Sequence, residues 1–284
     1  MILLTGATGT VGRLVARRLS GVAPLRLLSR DPGRAAALAG PRDEVAGGDF
    51  DDRSSLDRAL KGVRSALLVT SDPLAPAHDE RFLAAARAAG VRHVVKLSAL
   101  AVTDPGATDL ITTWQRHNEQ LLRGSALLWT LLRPRAFMTN TLGWARSVRE
   151  EGVVRAQNGS ATNATVDPRD IAEVAARALL ETDAHAGRAH ALTGPEAMSA
   201  VRQTEILGEV LRRPLRFVEL TEDEARRRLL TRLPAPVADA LVESAARGRA
   251  GAKNRVDPTT AHLLGHPARC YRDWVREHVP VFRG

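Results

Sequence analysis

Residues 2–12 read Ile-Leu-Leu-Thr-Gly-Ala-Thr-Gly-Thr-Val-Gly, a short apolar run followed by three evenly spaced glycines. The apolar run is typical of a buried strand, and the apolar spacing after the glycines is that of a helix. Gly6 allows the tight turn, Gly9 lets the backbone approach a pyrophosphate, and Gly12 lets helix and strand pack closely. Unpaired N–H groups at the helix start would attract phosphate. We therefore predict a dinucleotide site formed by Gly6, Thr8, Gly9, Thr10, Val11 and Gly12.

The glycine spacing leaves an alternative. It is Gly-x-x-Gly-x-x-Gly, one residue longer than the usual Gly-x-Gly-x-x-Gly, and an ordinary glycine-rich turn between strand and helix would look similar. The surrounding strand and helix pattern favours the nucleotide interpretation.

Composition limits the class of protein. The chain has 284 residues, of which 44% are hydrophobic, so it can bury a large core as one elaborated domain or two. No apolar run approaches the roughly 20 residues that a membrane helix needs, so we expect a soluble, cytoplasmic protein with no membrane partner. The single cysteine, Cys270, cannot form an intramolecular disulfide or a thiolate metal site, and we expect it to be buried. No metal is predicted.

The net charge of +9 and the pI near 11.0 suggest a nucleic-acid partner at first sight. However, the arginines are spread over nearly every predicted helix, and five Phe, four Trp and one Tyr leave few surfaces for base stacking. The distribution argues against nucleic-acid binding.

Strands and helices alternate as in a doubly wound α/β protein with a parallel Rossmann sheet. The predicted strands lie near residues 2–5, 25–29, 44–48, 65–70, 91–98 and 127–133. The predicted helices lie near residues 10–20, 33–39, 54–60, 76–89 and 109–124, with Ser54 as a cap. Later elements are a helix near 138–150, a strand near 161–166, a helix from Pro168 to Leu180 and a strand near 188–193. We expect a dinucleotide-binding domain over 1–150, completed by part of 161–193, and a mainly helical substrate-binding region over 199–284.

The end of the second strand indicates which dinucleotide binds. An acid there suits a ribose 2′-hydroxyl, whereas a basic group suits a 2′-phosphate, and this strand ends in Ser29-Arg30. Arg30 predicts NADP(H). In the alternative, Asp31 accepts the ribose hydroxyl, although Asp31-Pro32 is also a typical helix start.

Polar residues follow the third and fourth strands. Asp49 and Phe50 would lie beside the adenine, and Thr70 and Ser71 at the carboxyl edge of the sheet, where ligands of open α/β folds bind. The alternative for both pairs is turn formation.

The residue runs 5–12, 48–50, 94–98 and 130–140 together resemble the NmrA-like family of atypical short-chain dehydrogenases/reductases. The resemblance extends to 170–172, 264–267 and 273–275, and it is greatest to bacterial members similar to NADPH-dependent quinone oxidoreductases. It implies the Rossmann fold, and either a reductase or a redox-sensing regulator that binds a dinucleotide without turnover.

The usual short-chain dehydrogenase acid is absent. Those enzymes use a Tyr with a Lys four residues later, but the only tyrosine here, Tyr271, is followed at that distance by Val275. A product must therefore be protonated by another route, or the substrate must be a quinone, whose hydroquinone anion takes a proton from water.

The predicted catalytic residues are Ser98, Lys96 and His117. The resemblance places Ser98 at the serine of reductase relatives, where a hydroxyl steadies a developing alkoxide, and Lys96 would support it or hold the nicotinamide ribose. The alternative for Lys96 is a structural ion pair. His117 lies at the edge of a helix's apolar face, either as a proton donor or as a satisfied boundary histidine. Many relatives carry Trp-His where this chain has Trp114-Gln115, and Gln115 could orient substrate through its amide.

After the sixth strand, the segment from Pro134 should cross the nicotinamide end of the cofactor. Apolar residues there, with Trp114, could line a pocket for a flat substrate or belong to the core. The predicted substrate residues are Gln115, Phe137, Met138, Asn140 and Trp144, and Pro134 is a predicted cofactor contact.

Together these observations predict an NADPH-dependent oxidoreductase that transfers hydride to a quinone, ketone or related small unsaturated molecule. Two alternatives stay open, a non-catalytic NADP(H)-sensing regulator and a cofactor-assisted cyclase or isomerase. A homodimer through the helical region is also left open.

Overall fold

The structure, a computed structural model, describes residues 1–283. Its strands are β1 (Ile2–Leu4), β2 (Leu25–Ser29), β3 (Glu44–Gly47), β4 (Ser65–Leu68), β5 (His93–Leu97), β6 (Leu128–Pro134), β7 (Val153–Ala156), β8 (Thr162–Asn163), β9 (Arg188–Leu192), β10 (Met198–Ser199) and β11 (Arg216–Glu219). Its helices are α1 (Gly12–Leu19), α2 (Pro32–Ala36), α3 (Arg53–Leu60), α4 (His78–Ala88), α5 (Leu110–Arg123), α6 (Ala145–Glu151), α7 (Pro168–Leu180), α8 (Thr182–His185), α9 (Ala200–Leu211), α10 (Glu222–Leu230), α11 (Ala235–Arg249), α12 (Thr259–Leu264) and α13 (Tyr271–Arg283). Two 3₁₀ segments span Leu100–Thr103 and Met138–Trp144.

Seven strands form one sheet in the order β3-β2-β1-β4-β5-β6-β9. All pairings among β1 to β6 are parallel. Every residue of β1 and β4 is buried, as expected for central strands covered on both faces. The strand order reverses beside β1, where α/β proteins bind nucleotides. The predicted doubly wound Rossmann sheet is confirmed.

The chain divides into two compact units. The first comprises residues 1–99, 114–133 and 168–190, and the second comprises 100–113, 134–167 and 191–284. These units differ in their bounds from the predicted division into 1–150 and 199–284, since 134–150 groups with the later residues and 168–190, part of the predicted completing segment 161–193, groups with the first unit. The functional division into a dinucleotide-binding domain and a substrate-binding region stays a prediction.

Each unit has its own apolar core. In the first, residues of β1, β4 and β5 pack with apolar residues of α3 and α4. In the second, Tyr271, Trp274 and Phe282 of α13 pack against α6 and α9. Tyr271 is fully buried, and this burial raises the pKa of its phenol. The only tyrosine is thus part of a core.

Several local predictions need correction. The predicted helix near 138–150 is a 3₁₀ segment followed by α6, and the predicted strand near 161–166 contains only the two residues of β8. The strands β7 and β11 were missed because they pair only with each other, across about 60 residues of sequence. Cys270 is half-buried, and its thiol donates to Asp273 at 3.2 Å, so the expected burial is wrong.

Helix starts follow capping chemistry. Asp52, rather than Ser54, caps α3 by accepting a hydrogen bond from the N–H of Ser55. The start of α7 at Pro168 is confirmed. Within residues 1–283, no helix combines the length and apolar character needed to cross a membrane.

Candidate active site

The glycine turn after β1 has the geometry that its sequence predicts. Gly6 adopts a φ of +59°, which favours glycine, and its carbonyl accepts a hydrogen bond from the N–H of Gly9 at 2.9 Å. A Cβ atom on Gly12 would lie 2.1 Å from the Gly6 carbonyl oxygen. Only glycine therefore allows α1 to start so close to the turn.

A pocket of about 580 Å³ opens at the carboxyl ends of β1 to β4, entirely within the first unit. Eight predicted cofactor residues line it, namely Gly6, Thr8, Gly9, Arg30, Asp49, Phe50, Thr70 and Ser71. Its length along four strand ends and the exposed backbone of the glycine turn fit an extended dinucleotide. Thr10, Val11 and Gly12 lie beside this lining, where the turn becomes α1.

Two arginines stand at the end of β2. Arg30 and Arg34 both line the pocket, both are exposed, and neither forms an ion pair with any residue in 1–283. Asp31 lines the pocket too, but its carboxylate caps α2 by accepting from the N–H of Arg34 at 3.1 Å. The predicted role of Asp31 as a cap is confirmed, and the pair of free cations suits a 2′-phosphate. Arg34 was missed, although its place one turn along α2 could have indicated it.

The pocket wall after β3 is made by Asp49 and Phe50. The Asp49 carboxylate accepts a hydrogen bond from the N–H of Asp51 at 3.0 Å, as the turn alternative predicts. The Phe50 ring stacks on His78, with ring centroids 5.3 Å apart, and so presents a flat surface. His78 in turn lies 3.3 Å from Asp51, and this hydrogen bond lowers the pKa of the Asp51 carboxyl. Sequence reasoning missed His78, which comes from the start of α4.

Three potential metal ligands meet in this wall. Ligand atoms of Asp49, Asp51 and His78 lie within 4.8 Å of one another. Arg81 also binds the Asp51 carboxylate, so this carboxylate is already engaged by two side chains. The contacts of the Asp51 carboxylate are therefore those of a hydrogen-bonded surface cluster rather than of a metal ligand.

Lys96 is fully buried beneath the pocket. Its ammonium group lies 2.5 Å from a carboxylate oxygen of Asp79, which is also fully buried. The other Asp79 oxygen accepts a hydrogen bond from Thr70 at 2.6 Å, and Lys96 donates to the same hydroxyl at 3.3 Å. This geometry is the structural ion pair given above as the alternative for Lys96. Through it, Lys96 positions Thr70, which lines the pocket.

Ser98 has different partners. Its buried hydroxyl donates to Glu119 at 2.6 Å, and Glu119 forms a two-point ion pair with Arg133 at 2.9 and 2.5 Å. Lys96 and Ser98 therefore belong to separate networks, and the predicted support of Ser98 by Lys96 is wrong. While Ser98 donates to Glu119, its hydroxyl can accept a hydrogen bond from a ligand but has no proton left for an oxyanion.

Helix α5 turns a polar face inward. His117 is exposed, so the expectation that it faces the protein is wrong. The error came from counting only apolar residues, because the buried stripe is centred on Gln115, Asn118 and Leu122. The Gln115 oxygen, both amide atoms of Asn118 and the Trp114 indole nitrogen are buried without hydrogen-bond partners. Asn118, which was missed, is fully buried. Buried polar groups without protein partners ordinarily form hydrogen bonds with a polar ligand or an ordered water molecule.

A second pocket, of about 250 Å³, lies entirely within the second unit. It is lined by Phe137, Asn140 and Trp144, three of the predicted substrate residues. Met138 is instead buried in the core of this unit, and Pro134 is the buried last residue of β6. Trp114 and Gln115 belong to the first unit. The predicted site residues thus fall into two groups, one in each unit.

The second pocket also contains polar residues that sequence reasoning missed. Lys253 lines it, as do Gln157 and Asn163. The amide nitrogen of Gln157 and the amide oxygen of Asn163 are buried without partners. These residues come from separate segments, and no local motif joins them. One signal was available, because Lys253 is one of only three lysines in the chain.

A parallel sheet whose first strand runs into a glycine turn, with a flat aromatic wall and two free arginines lining the same pocket, defines a dinucleotide-binding α/β protein. Residues 6–182 match the NAD(P)H-binding family, and the chain belongs to it.

Over 282 residues, covering 99% of both chains, the sequence is 55% identical to the (4-alkanoyl-5-oxo-2,5-dihydrofuran-3-yl)methyl phosphate reductase of Streptomyces griseus. Among solved structures, it is similar to the NADPH-dependent quinone oxidoreductase of Escherichia coli complexed with NADPH, with a TM-score of 0.87, 27% identity and coverage of 98% and 99%. NmrA, a negative transcriptional regulator in complex with NADP, matches in fold with a TM-score of 0.80, 17% identity and coverage of 99% and 95%.

The predicted resemblance to NADPH-dependent quinone oxidoreductases is confirmed by these matches, and the match to NmrA agrees with the predicted NmrA-like fold. The chain is an NADP(H)-dependent reductase, as predicted. The regulator and cyclase alternatives are not favoured.

Proposed function

We propose that this reductase saturates the ring double bond of an alkanoyl-substituted, five-membered unsaturated lactone that carries a methyl phosphate ester, CH₂–O–phosphate, called the phosphomethyl group below. The observation that carries the proposal is the 55% identity, over 99% of both chains, to a reductase named for such a substrate. It refines the sequence prediction of a small unsaturated substrate and replaces the quinone as the first choice.

The chemistry suits a site without the Tyr-x-x-x-Lys acid. NADPH, held by the nucleotide pocket, would supply a hydride to the ring carbon bearing the phosphomethyl group. The electron pair of the double bond then resides on the neighbouring ring carbon, between the lactone and alkanoyl carbonyls. Two carbonyls spread this charge, so water suffices to deliver the proton that completes the saturated lactone. The acid that Tyr271 cannot provide is not required.

In the first unit, the residues around the pocket would bind and orient the cofactor. Arg30 and Arg34 would hold the 2′-phosphate, and the backbone N–H groups near Gly9 would hold the pyrophosphate. Phe50 offers its ring to the adenine. Thr70, fixed by Asp79 and Lys96, presents its hydroxyl oxygen at the far end of the same pocket.

In the second unit, the pocket combines the surfaces that an acylated lactone needs. Phe137 and Trp144 provide half-buried aromatic faces for the alkanoyl chain. Asn140 and Gln157 provide amide groups for the carbonyl oxygens. A mixed apolar and polar lining is typical of small-molecule sites.

The test is turnover by the purified protein. NADPH consumption is followed with the phosphorylated alkanoyl lactone and with a panel of quinones and simple ketones. We expect kcat/KM for the lactone to exceed that for every quinone by about 100-fold, because the aromatic and the amide groups of the second pocket then both contribute binding energy. Equal or faster quinone turnover, or no lactone reduction, would overturn the proposed substrate.

The cytoplasmic location and the homodimer stay predictions.

A further inference from the structure

Lys253 lines the second pocket, and its ammonium group is held in a defined position. The group donates to the Ser244 hydroxyl at 2.9 Å, and the lysine backbone carbonyl accepts from the N–H of Ala164 at 3.0 Å. A Cβ atom on Gly248 would lie 3.6 Å from the lysine Cδ, so the stem runs close along α11. A lysine held at both ends loses little further entropy on binding a ligand.

The surroundings of Lys253 are rich in positive charge. Arg247 is already neutralised, since it forms ion pairs with Asp109 at 2.5 Å and with Glu243 at 3.3 Å. Arg135 is different, because its Nε atom is buried without a hydrogen-bond partner and the guanidinium forms no ion pair within residues 1–283. Lys253 likewise has only the neutral Ser244 as a side-chain partner there. Lys253 and Arg135 are thus two cations of this region that form no ion pair within residues 1–283; burial lowers the pKa of Arg135, and the charge of Asp104 opposes that shift.

The pKa of Lys253 reflects this crowding. Burial is the main cause that lowers the pKa of its ammonium group to about 8, followed by repulsion from Arg247 and Arg135, while Asp109 opposes the shift. Buried cations are ordinarily paired with anions. A bound anion would offset both the burial and the repulsion at this ammonium group.

Gln157 adds a neutral donor to the same lining. Its amide nitrogen is buried and has no hydrogen-bond partner. A pocket that presents an ammonium group and an unpartnered N–H donor is suited to a compact oxyanion with several acceptor atoms. Within the proposed substrate, only the phosphate has this chemistry.

We propose that Lys253, Gln157 and Arg135 form a subsite for the phosphate group of a phosphate monoester substrate, with Lys253 and Gln157 in direct contact and Arg135 acting through its charge. The inference rests on the proposed function, which supplies a substrate with a phosphomethyl group. It goes further by assigning the residues that distinguish the phosphate ester from its free alcohol.

The kinetic test compares the phosphorylated lactone with the corresponding alcohol. We expect Lys253→Gln to lower kcat/KM for the phosphate by about 10- to 100-fold, the size of one lost charge-assisted hydrogen bond, chiefly through a higher KM. Turnover of the alcohol should change less than about twofold. Lys253→Arg should retain most phosphate selectivity, and Lys61→Gln, at an exposed lysine, is the matched control. Equal losses on both substrates, or no loss on the phosphate, would overturn the subsite.

A binding test separates this subsite from the proposed function. Inorganic phosphate is titrated calorimetrically into protein saturated with NADP⁺, so that the nucleotide pocket is already filled. We expect binding to the wild type and to Lys61→Gln, with affinity reduced about tenfold or more in Lys253→Gln. If the lactone is not reduced but this pattern holds, the subsite stands and the substrate assignment fails. If the lactone is reduced but Lys253→Gln binds phosphate like wild type, only the subsite fails.

Discussion

The two pockets of this chain are built in different ways. The nucleotide pocket takes its lining from the ends of four neighbouring strands and the turns that follow them, all within residues 5–78. The second pocket, the proposed substrate pocket, takes its lining from short segments spread over residues 136–253. The lining of the first pocket follows from sheet topology. The lining of the second depends on which side chains the packing of one particular chain brings together, and we therefore expect substrate specificity to reside there.

Gly12→Ala should produce the largest effect, because it disrupts the close approach of α1 to the glycine turn, on which the nucleotide pocket depends. The new methyl group would lie 2.1 Å from the Gly6 carbonyl oxygen, so helix and turn must separate. We expect a loss of about 3 kcal/mol or more in the free energy of unfolding, together with loss of NADPH binding. Guanidinium unfolding and a fluorescence titration with NADPH measure both.

The matched control for this substitution is Gly143→Ala in the second unit, where no atom lies within 4 Å of the new methyl position. It should unfold and bind NADPH like the wild type. Wild-type stability and NADPH affinity in Gly12→Ala would show that the close approach is not needed.

The double variant Arg30→Ala/Arg34→Ala should raise the Kd for NADPH by about 100-fold, since two charge-assisted contacts to the 2′-phosphate are lost. The Kd for NADH should change less than about threefold. Arg42→Ala, at another exposed arginine, should leave both values unchanged. Equal weakening of NADH and NADPH would contradict the 2′-phosphate role and indicate a general effect on the adenine end.

Trp144→Ala tests the apolar part of the substrate pocket. In the wild type, each CH₂ removed from the alkanoyl chain should lower kcat/KM about fourfold, because about 0.8 kcal/mol of burial is lost per group. The variant should show a much flatter dependence on chain length, with about a tenfold lower kcat/KM for the longest chain. Leu230→Ala, at an exposed leucine of the same unit, is the control. An unchanged slope in Trp144→Ala would place the chain elsewhere.

The smallest expected effect is in the pH dependence of phosphate recognition. Lys253 must be protonated to bind the phosphate, and its pKa of about 8 in the free protein means that kcat/KM for the phosphorylated lactone falls as pH rises through 8. The fall should be about fourfold at pH 8.5. Arg247 and Arg135 repel this ammonium group, and Asp109 attracts it.

The arginine in Lys253→Arg keeps its charge, so kcat/KM of this variant for the phosphorylated lactone should not change with pH up to about pH 10. The alcohol substrate serves as the internal control, since its turnover should show no such break at pH 8. A break near pH 8 in both wild type and Lys253→Arg would assign the titration to another group.

The same contrast explains what the sequence could predict. Gly6, Arg30 and Asp49 were found because each follows a strand at a position whose role the parallel sheet determines. Arg34 was missed because the side chain that joins Arg30 is on the next helix rather than on the strand. His117 was misplaced because the buried face of α5 is largely polar, and apolar periodicity does not detect such a face.

In the second unit, Phe137, Asn140 and Trp144 were predicted because they directly follow the sixth strand. Lys253 lies more than 100 residues later, and only the tertiary fold brings it into the same lining. No periodicity or short motif in the sequence indicates that Lys253 and these three residues line one pocket. Residues of this kind can be found only from the packed structure.

The most direct test of the account follows the hydride itself. The protein is given NADPH deuterated at the transferable position together with the phosphorylated alkanoyl lactone, and the product is examined by NMR and mass spectrometry. The account predicts one deuterium on the ring carbon that bears the phosphomethyl group, with a solvent proton on the carbon between the two carbonyls. Deuterium on the alkanoyl carbinol carbon, or recovery of unlabelled substrate with NADPH intact, would contradict it.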